Sequence, residues 1–313
     1  MGGLPEGLEI FFLGARGDSG FYLHASMKSY ILAARPKTLP AAIVPVWVGC
    51  ALAFRVTGTW DGWLAFYTVA SAVWIQIATN FFNDAIDADK GADTEARLGP
   101  TRATASGRLS RKTVYTSAVV CLLLAAAFGW PLFMARGWPM IAIAVPSFYL
   151  SYGYTGGPLP LAYKGLGELF VILFFGLVAV TGTVFVQTGL WCVEALVAGL
   201  GIGCLSAVLI SVNNLRDVEE DRSNNKNTLA VRWGRKAAIN LIVVMTLVAY
   251  VCAVCLFGTG LHLLYLLPAL LLGMVIIRSV CSHQPGIIYN KFLAMSALQL
   301  ILYAAAFTII ACC

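Results

Sequence analysis

Apolar residues along this chain come in long unbroken runs, with short polar segments between them. The runs fall at 39–54, 62–82, 114–135, 139–152, 167–188, 192–212, 237–257, 261–280 and 292–311. A helix needs about 20 apolar residues to cross a bilayer, and most of these runs approach that length. The pattern predicts an all-α polytopic membrane protein with nine transmembrane helices, of which the fourth is short.

The composition agrees with this pattern. Of 313 residues, 59% are hydrophobic and 12% are charged, whereas a soluble domain carries roughly a quarter charged residues. The net charge is 21 − 15 = +6. Since the basic residues flank the apolar runs, we expect them to set the orientation in a lipid bilayer, and no nucleic-acid partner is predicted.

The distribution of basic residues predicts the topology. If nine helices alternate across the membrane, 19 of the 21 Lys and Arg residues fall on one side, and Arg55 and Arg136 fall on the other. Positive loops face the cytoplasm. We therefore expect a multi-pass protein of the cell inner membrane, with the N-terminus cytoplasmic and the C-terminus outside. Residues 1–27 are predicted to be a cytosolic tail, and 28–313 a transmembrane domain.

Two loops on the predicted cytoplasmic side, at about 80–112 and 213–236, are rich in acidic residues. Together they hold nine of the fifteen Asp and Glu residues: Asp84, Asp87, Asp89, Asp93, Glu95, Asp217, Glu219, Glu220 and Asp221. Each loop begins with asparagines at the end of an apolar run and ends on an Arg-Lys pair. This similarity predicts an internal repeat that brings the two loops face to face.

The acidic residues in these loops have helical spacing. Asn83 and Asp87 are four residues apart, as are Asn213, Asp217 and Asp221. Such a row of carboxylates on one helical face is repulsive unless a cation offsets it. Oxygen ligands of this kind suit Mg²⁺, which commonly binds one or two carboxylates together with substrate phosphates. We therefore predict a magnesium-dependent phosphate chemistry.

A diphosphate also requires basic partners. Arg102, Lys164, Arg216, Arg222 and Lys226 all lie on the predicted cytoplasmic side, and Arg102 and Lys226 are favoured because small or polar residues surround them. Glu168 lies just before a long apolar run, and an ionisable residue at membrane depth is a candidate functional residue.

Four blocks of the sequence resemble the UbiA superfamily of intramembrane prenyltransferases, and most closely its 1,4-dihydroxy-2-naphthoate branch. They are RPKTLP from Arg35, NDAIDADKGADTEARLGPTRATASG from Asn83, GLGE ending at Glu168, and NNLRDVEEDR from Asn213 with KNTLA following. The resemblance covers the chain from about residue 28 to its end. The two acidic blocks are the most specific.

The resemblance implies a UbiA-type helical bundle with a central cavity, in which two Asp-rich motifs bind Mg²⁺ and a prenyl diphosphate. It implies Asp84, Asp87, Asp217 and Asp221 as catalytic and metal-binding residues, with Asn83 and Asn213 binding substrate. The general motif would place its last Asp at position 91, which is Gly91 here. Asp93 follows two residues later and is the predicted additional metal ligand. Arg102, Lys164, Glu168 and Lys226 complete the predicted substrate site, with Arg102 and Lys164 as the candidates to meet the carboxylate of the acceptor that the resemblance implies.

The implied reaction transfers a polyprenyl group from polyprenyl diphosphate to 1,4-dihydroxy-2-naphthoate, with loss of the carboxyl group as CO₂. Demethylmenaquinone and diphosphate would be the other products. Alternative acceptors are 4-hydroxybenzoate, homogentisate and a futalosine-route naphthoate, and a secondary transporter is the alternative of a different class. Tyr149, Tyr152, Tyr154 and Tyr163 could orient the acceptor, shield a cation or lie at the membrane interface.

Overall fold

The computed structural model describes residues 27–91, 98–99 and 102–313, and the segments of regular secondary structure in these ranges are all helical. The predicted tail, up to residue 26, and Asp93 lie outside the described residues. The helices, with their bounds, are α1 Met27–Ala34, α2 Pro40–Thr57, α3 Gly62–Asp89, α4 Arg111–Arg136, α5 Trp138–Gly153, α6 Gly167–Thr188, α7 Val193–Arg216, α8 Val218–Ser223, α9 Leu229–Phe257, α10 Leu267–Ser282 and α11 Tyr289–Cys312.

Eight of these helices are long and apolar enough to cross a membrane: α2, α3, α4, α6, α7, α9, α11 and the continuous segment Leu261–Ser282 that contains α10. The all-α, multi-pass membrane class is therefore confirmed. The helix at the fourth predicted run, α5, has 16 residues. It falls short of a typical span, so the number nine stays a prediction.

The helices that carry the acidic residues extend beyond the apolar runs. The apolar runs end at residues 82 and 212, whereas α3 continues to Asp89 and α7 to Arg216. Several polar residues of these last turns are buried and hydrogen-bonded, namely Asp84, Asp87, Asn214 and Arg216, whereas Asp89 at the tip of α3 is exposed. Both helices end at the same end of the bundle, which we call the acidic end.

Helix α7 lies at the centre of the bundle. It packs against α2, α6, α9 and α11, and it is the most buried of the candidate spans in the described part of the chain. Part of α6, Ile172–Val178, is a π-helix. It approaches α7 so closely that a Cβ on Gly176 would overlap the backbone of Gly199 and Gly203. Small residues at this crossing therefore allow the two backbones to touch.

The opposite end of the bundle carries a belt of tryptophans. Trp60, Trp63, Trp130, Trp138 and Trp191 lie in or beside the α2–α3, α4–α5 and α6–α7 connections and expose more than half of their surface. Tryptophan is enriched where a membrane meets water. The bundle therefore has one aromatic end and one acidic end, as expected for a protein with a fixed orientation in a bilayer.

Candidate active site

The last turns of α3 present two different faces. On the first face, both carboxylate oxygens of Asp84 accept backbone hydrogen bonds, from Ala103 N at 3.0 Å and Thr104 N at 2.8 Å. One turn earlier, the Asn80 amide donates to Ala34 O at 2.8 Å and to Thr38 Oγ1 at 3.0 Å. This face of α3 therefore holds the chain segments on either side of it in place.

The second face of α3 carries Asn83 and Asp87, as their spacing predicted. The Asp87 carboxylate, which is buried, accepts from Arg102 Nη2 at 2.6 Å and from Tyr163 Oη at 3.0 Å. Asn83 Oδ1 accepts a hydrogen bond from the Thr155 hydroxyl. Partners from two other segments thus converge on this face, and an Arg–carboxylate pair buried in this way is strongly oriented.

Lys90, at the end of α3, links the same segments. Its ammonium group donates to Thr155 O at 2.7 Å and lies 3.7 Å from the centre of the Tyr163 ring. Burial lowers the pKa of Lys90, the charge of Asp87 opposes this shift, and the charge of Lys226 adds to it. Lys90 therefore lies within electrostatic range of groups from both acidic segments.

The second acidic segment supplies its own cation. Arg216 Nε and Nη2 each donate to an oxygen of Asp217 at 2.7 Å, and Nη2 also donates to Asn213 Oδ1 at 3.0 Å. The helix is interrupted at Asp217 (φ −96°, ψ 12°) and resumes as α8. Backbone hydrogen bonds from Asp217 N to Asn213 O and from Asp221 N to Asp217 O still connect the row of three side chains across this break.

Lys226 connects the two acidic segments. Its ammonium group lies 3.2 Å from Asp221 Oδ1. Burial acts to lower the pKa of Lys226, but the charges of Asp221, Asp87 and Asp217 outweigh it and raise the pKa. Burial, with the charge of Asp217, raises the pKa of Asp221 to about 6, although Lys226 opposes the shift. Carboxylates of both segments thus interact electrostatically with one lysine, so the two segments meet at the acidic end.

Glu168 is the second residue of α6, and it is 4% exposed. Its Oε1 accepts from Asn214 Nδ2 at 3.0 Å and from Ser211 Oγ at 3.4 Å, both on α7. Its Oε2 is buried and has no hydrogen-bond partner among the described residues. A buried carboxylate oxygen in this state has a free acceptor site for a ligand hydroxyl.

An apolar cavity of about 220 Å³ runs between α2, α3, α5 and α6. Its walls include Phe170 and Phe174, whose rings stack at 6.1 Å. Tyr154 also lines the cavity. Burial raises the pKa of Tyr154, and the charges of Glu168, Asp221 and Asp87 act in the same direction. This tyrosine therefore lies where the cavity reaches the acidic end.

Comparison with known families identifies the arrangement. Residues 42–286 match the model of the UbiA prenyltransferase family, and they span most of the chain. The chain belongs to the UbiA prenyltransferase family. It is therefore an enzyme of the prenyltransferase class, and the predicted transporter alternative is not favoured.

Sequence relatives agree with the UbiA assignment. The chain is 30% identical to a 1,4-dihydroxy-2-naphthoate octaprenyltransferase of Haemophilus influenzae over 90% of this chain and 94% of the relative. It is 38% identical to the enzyme of that name from Mycobacterium tuberculosis over 67% of this chain and 71% of the relative.

Solved UbiA structures share the fold. The apo structure of a UbiA homolog from Aeropyrum pernix K1 has a TM-score of 0.67 at 15% identity, covering 88% of this chain and 98% of that one. A UbiA homolog from Archaeoglobus fulgidus, bound to DMAPP and Mg²⁺, has a TM-score of 0.63 at 15% identity, with 90% and 99% covered. At this identity the likeness establishes the fold alone.

The acidic end of this UbiA protein has the donor set that Mg²⁺ prefers. No group of three acidic, His or Cys side chains in the described ranges forms a closed metal site. However, Asp221 Oδ2 is buried with no hydrogen-bond partner among those residues, close to the charge of Asp217. An open site with one or two carboxylates leaves room for phosphate oxygens and water, which is the coordination that Mg²⁺ favours. The residues therefore fit the metal.

The structure separates the predicted site residues into groups. Asp87, Asn83, Asn213, Asp217, Asp221, Arg102, Lys226 and Glu168 lie in the two segments or beside the cavity. Asp84 lies beside them but faces the backbone of 103–104. The Lys164 side chain is exposed, whereas its neighbour Tyr163 contacts Asp87. Tyr149 and Tyr152 are exposed, in contrast to the cavity-lining Tyr154.

Sequence reasoning missed several residues of this site. Lys90 was counted only as a topology signal, and Asn214 and Ser211, which hold Glu168, were not singled out. A helical projection of α7 could have found the last two. Asn214 and Ser211 are three residues apart and so share a face, next to the face that carries Asn213.

Proposed function

We propose that this protein transfers a polyprenyl group from polyprenyl diphosphate to 1,4-dihydroxy-2-naphthoate, giving the hydroquinone form of demethylmenaquinone (demethylmenaquinol), CO₂ and diphosphate. The observation that carries the proposal is the meeting of two buried carboxylate–cation clusters at the acidic end, which the apolar cavity reaches at Tyr154. The first cluster is Asp87 with Arg102, and the second is Asp217 with Arg216. Such a site suits a substrate with a charged head and an apolar tail. The bacterial relatives named for this acceptor support the choice of aromatic substrate.

The diphosphate head would bind at the acidic end. Arg102, Arg216, Lys226 and Lys90 surround this site, and each can donate to phosphate oxygens. In the described structure the first three pair with carboxylates. Diphosphate binding would therefore redistribute existing contacts rather than bring a charged group to an unpaired cluster.

Asp87, Asp217 and Asp221 are the residues that would hold Mg²⁺. When bound, the metal supplies positive charge that neutralises the departing diphosphate. Asp84 is assigned a different part, because both of its oxygens already accept backbone amides and thereby shape the segment that carries Arg102. Asp93 stays a predicted metal ligand, and metal binding by Asp84 stays the sequence-based alternative that Asp84→Asn would test.

The cavity would hold the first part of the prenyl chain and exclude water from the reacting carbon. Loss of diphosphate leaves an allylic cation, which water would capture in an open site. Apolar walls prevent this, and the faces of Phe170, Phe174 and Tyr154 attract positive charge.

Glu168 would orient the aromatic acceptor. Asn214 and Ser211 fix Oε1, which leaves Oε2 to accept a hydrogen bond from a ring hydroxyl of the naphthoate. The hydroxyl so held makes the ring more electron-rich and therefore a better nucleophile toward the allylic cation. Arg102 remains the candidate partner for the acceptor carboxylate, and the exposed side chain of Lys164 makes it the weaker candidate.

We further propose that the acidic end faces the cytoplasm of a bacterial cell, with the C-terminus outside the inner membrane. The partition of basic residues supports this orientation, and the tryptophan belt at the other end is compatible with it. Reporter fusions after Gly91 and after Ser223 should both report a cytoplasmic location. Opposite locations for the two would contradict the shared site.

The direct test is an assay of the purified protein with Mg²⁺, a polyprenyl diphosphate and a panel of aromatic acids. We expect prenylation of 1,4-dihydroxy-2-naphthoate with one CO₂ released for each product, and loss of activity when EDTA removes the metal. Glu168→Gln should slow this reaction while leaving prenyl diphosphate binding nearly unchanged. Prenylation with the carboxyl group retained would overturn the naphthoate assignment.

A further inference from the structure

Asn290, in the first turn of α11, lies between the two acidic segments. Its Oδ1 accepts a hydrogen bond from Arg216 Nη1 at 2.7 Å, and its Nδ2 donates to Leu98 O at 3.1 Å. Arg216 belongs to the second acidic segment, and Leu98 belongs to the connection that follows the first. One amide side chain therefore bridges the two halves of the site.

Each of the three guanidinium nitrogens of Arg216 has a hydrogen-bond partner. Nε and Nη2 hold Asp217, Nη2 also contacts Asn213, and Nη1 contacts Asn290. The first two partners belong to the same segment as Arg216 itself. Asn290 is the partner that comes from elsewhere in the fold, so it fixes the plane of the guanidinium and, through it, the direction of the Asp217 carboxylate.

The other end of the bridge reaches the connection between α3 and α4. Leu98 precedes Arg102 in this connection, and Arg102 holds Asp87 at 2.6 Å. The side chain of Asn290 therefore ties the backbone near the first cluster to the cation of the second cluster. A change in this tie alters the separation of the two clusters, and a diphosphate must contact both.

The start of α11 is a rigid support for such a bridge. The neighbouring Tyr289 is fully buried, and its hydroxyl donates to His283 O at 3.0 Å. Arg235 Nη2 donates to the carbonyls of Cys281 at 3.0 Å and His283 at 2.9 Å. The turn that leads into α11 is thus held from two sides, which is what a residue that positions others requires.

We propose that Asn290 is a positioning residue for prenyl diphosphate binding, which sets Arg216 and the Leu98 connection at the distance that the diphosphate and its metal require. The inference rests on the proposed function as far as the diphosphate is concerned, but it does not depend on which aromatic acceptor is used. Asn290 is not assigned any contact with substrate.

Three variants test this role. Asn290→Ala removes both hydrogen bonds. Asn290→Asp keeps an acceptor for Arg216 but loses the donor to Leu98 O. Asn240→Ala is the matched control, since Asn240 is an exposed asparagine within α9. For each variant we would measure prenyl diphosphate binding by calorimetry at fixed Mg²⁺ without acceptor, both KM values, kcat and the thermal midpoint in detergent.

Asn290→Ala should weaken prenyl diphosphate binding and raise its KM by about tenfold, the scale of a lost hydrogen bond to a charged group. The KM of the acceptor and the thermal midpoint should stay within the range of Asn240→Ala. Asn290→Asp should recover only part of the loss, because Arg216 regains its partner while the hydrogen bond to Leu98 O stays lost.

Two results would overturn the inference while leaving the proposed function intact. One is prenyl diphosphate binding by Asn290→Ala equal to that of the unchanged protein. The other is a uniform loss of stability and of every kinetic parameter in both Asn290 variants, which would indicate a purely structural residue. Failure of the unchanged protein to bind prenyl diphosphate with Mg²⁺ would overturn the proposed function, and the inference with it.

Discussion

The two acidic segments look alike in sequence but are built differently. In the first, Asp87 lies on a continuous helix and receives its cation from Arg102, fifteen residues later, and its second hydrogen bond from Tyr163. In the second, Asp217 lies at a break in the helix and receives its cation from the adjacent Arg216. The first cluster is thus assembled from distant segments, whereas the second is largely local.

This difference determines what each cluster depends on. The local cluster keeps its internal geometry as long as α7 ends correctly, but it needs Asn290 to fix it relative to the rest of the site. The distributed cluster depends on the α3–α4 and α5–α6 connections, which Asp84 and Lys90 hold in place. A substitution in the first cluster should therefore disturb the positions of the connecting loops, whereas one in the second should act mainly by changing the local charge.

The largest expected effect comes from removing the central carboxylate of each cluster. Asp87→Asn and Asp217→Asn each remove one charge with little change in volume. We expect each to reduce kcat/KM by roughly a thousandfold, equivalent to about 4 kcal/mol, because the metal and diphosphate lose a ligand in both cases. The measurement is prenyl transfer at saturating Mg²⁺, with circular dichroism as the control for folding. Near-normal rates in both variants would mean that neither carboxylate takes part in binding the metal or the diphosphate.

The next largest effect is expected from removing the arginine of each cluster, and the loss of stability should differ between the two. Arg216→Gln leaves Asp217 buried with Asn213 Nδ2 at 3.3 Å, whereas Arg102→Gln leaves Asp87 with the Tyr163 hydroxyl at 3.0 Å. Breaking a buried ion pair costs about 3–5 kcal/mol, and a remaining hydrogen bond offsets part of this. We expect a lower thermal midpoint in detergent for Arg216→Gln than for Arg102→Gln. The reverse order would contradict the comparison.

The class of fold could be predicted from the sequence because a lipid environment strongly constrains which residues a membrane-spanning segment can contain. Runs of apolar residues and the partition of Lys and Arg follow directly from the cost of placing charge in hydrocarbon. The spacing of Asn83 and Asp87 likewise predicted their shared face, since a helix repeats every 3.6 residues.

The sequence could not predict which carboxylates face each other and which face the backbone. Asp84 and Asp87 lie in the same block, but their roles depend on where residues 103–104 and Tyr163 come to rest, and no local periodicity encodes such distant contacts. The break at Asp217 was also missed, because the spacing of four between Asn213, Asp217 and Asp221 suggests an unbroken helix. Lys90 reads as one more basic residue until its distance to the Tyr163 ring is known.

A smaller effect is expected at Asp84, which separates a loop-holding carboxylate from a metal ligand. Asp84→Asn can still accept one of the two backbone hydrogen bonds, from Ala103 or Thr104, and loses the other. We expect a loss of about 1–2 kcal/mol in stability and roughly a tenfold loss in kcat/KM, with turnover still measurable. A loss as severe as that of Asp87→Asn, with normal stability, would make Asp84 a metal ligand after all.

The smallest expected effect concerns Tyr163 of the α5–α6 connection, whose hydroxyl donates to Asp87 in the first cluster. Tyr163→Phe removes one hydrogen bond to Asp87 Oδ1 but keeps the ring over which Lys90 lies. Because Arg102 still holds the other carboxylate oxygen, we expect about a fivefold fall in kcat/KM, in keeping with about 1 kcal/mol for one hydrogen bond.

Tyr115→Phe is the matched control, since Tyr115 donates to the partly exposed Asp89 at 3.1 Å, outside the site. Steady-state kinetics of the two variants side by side would decide the point. Equal rates for both would mean that Asp87 needs no partner beyond Arg102, and the first cluster would then be as self-sufficient as the second.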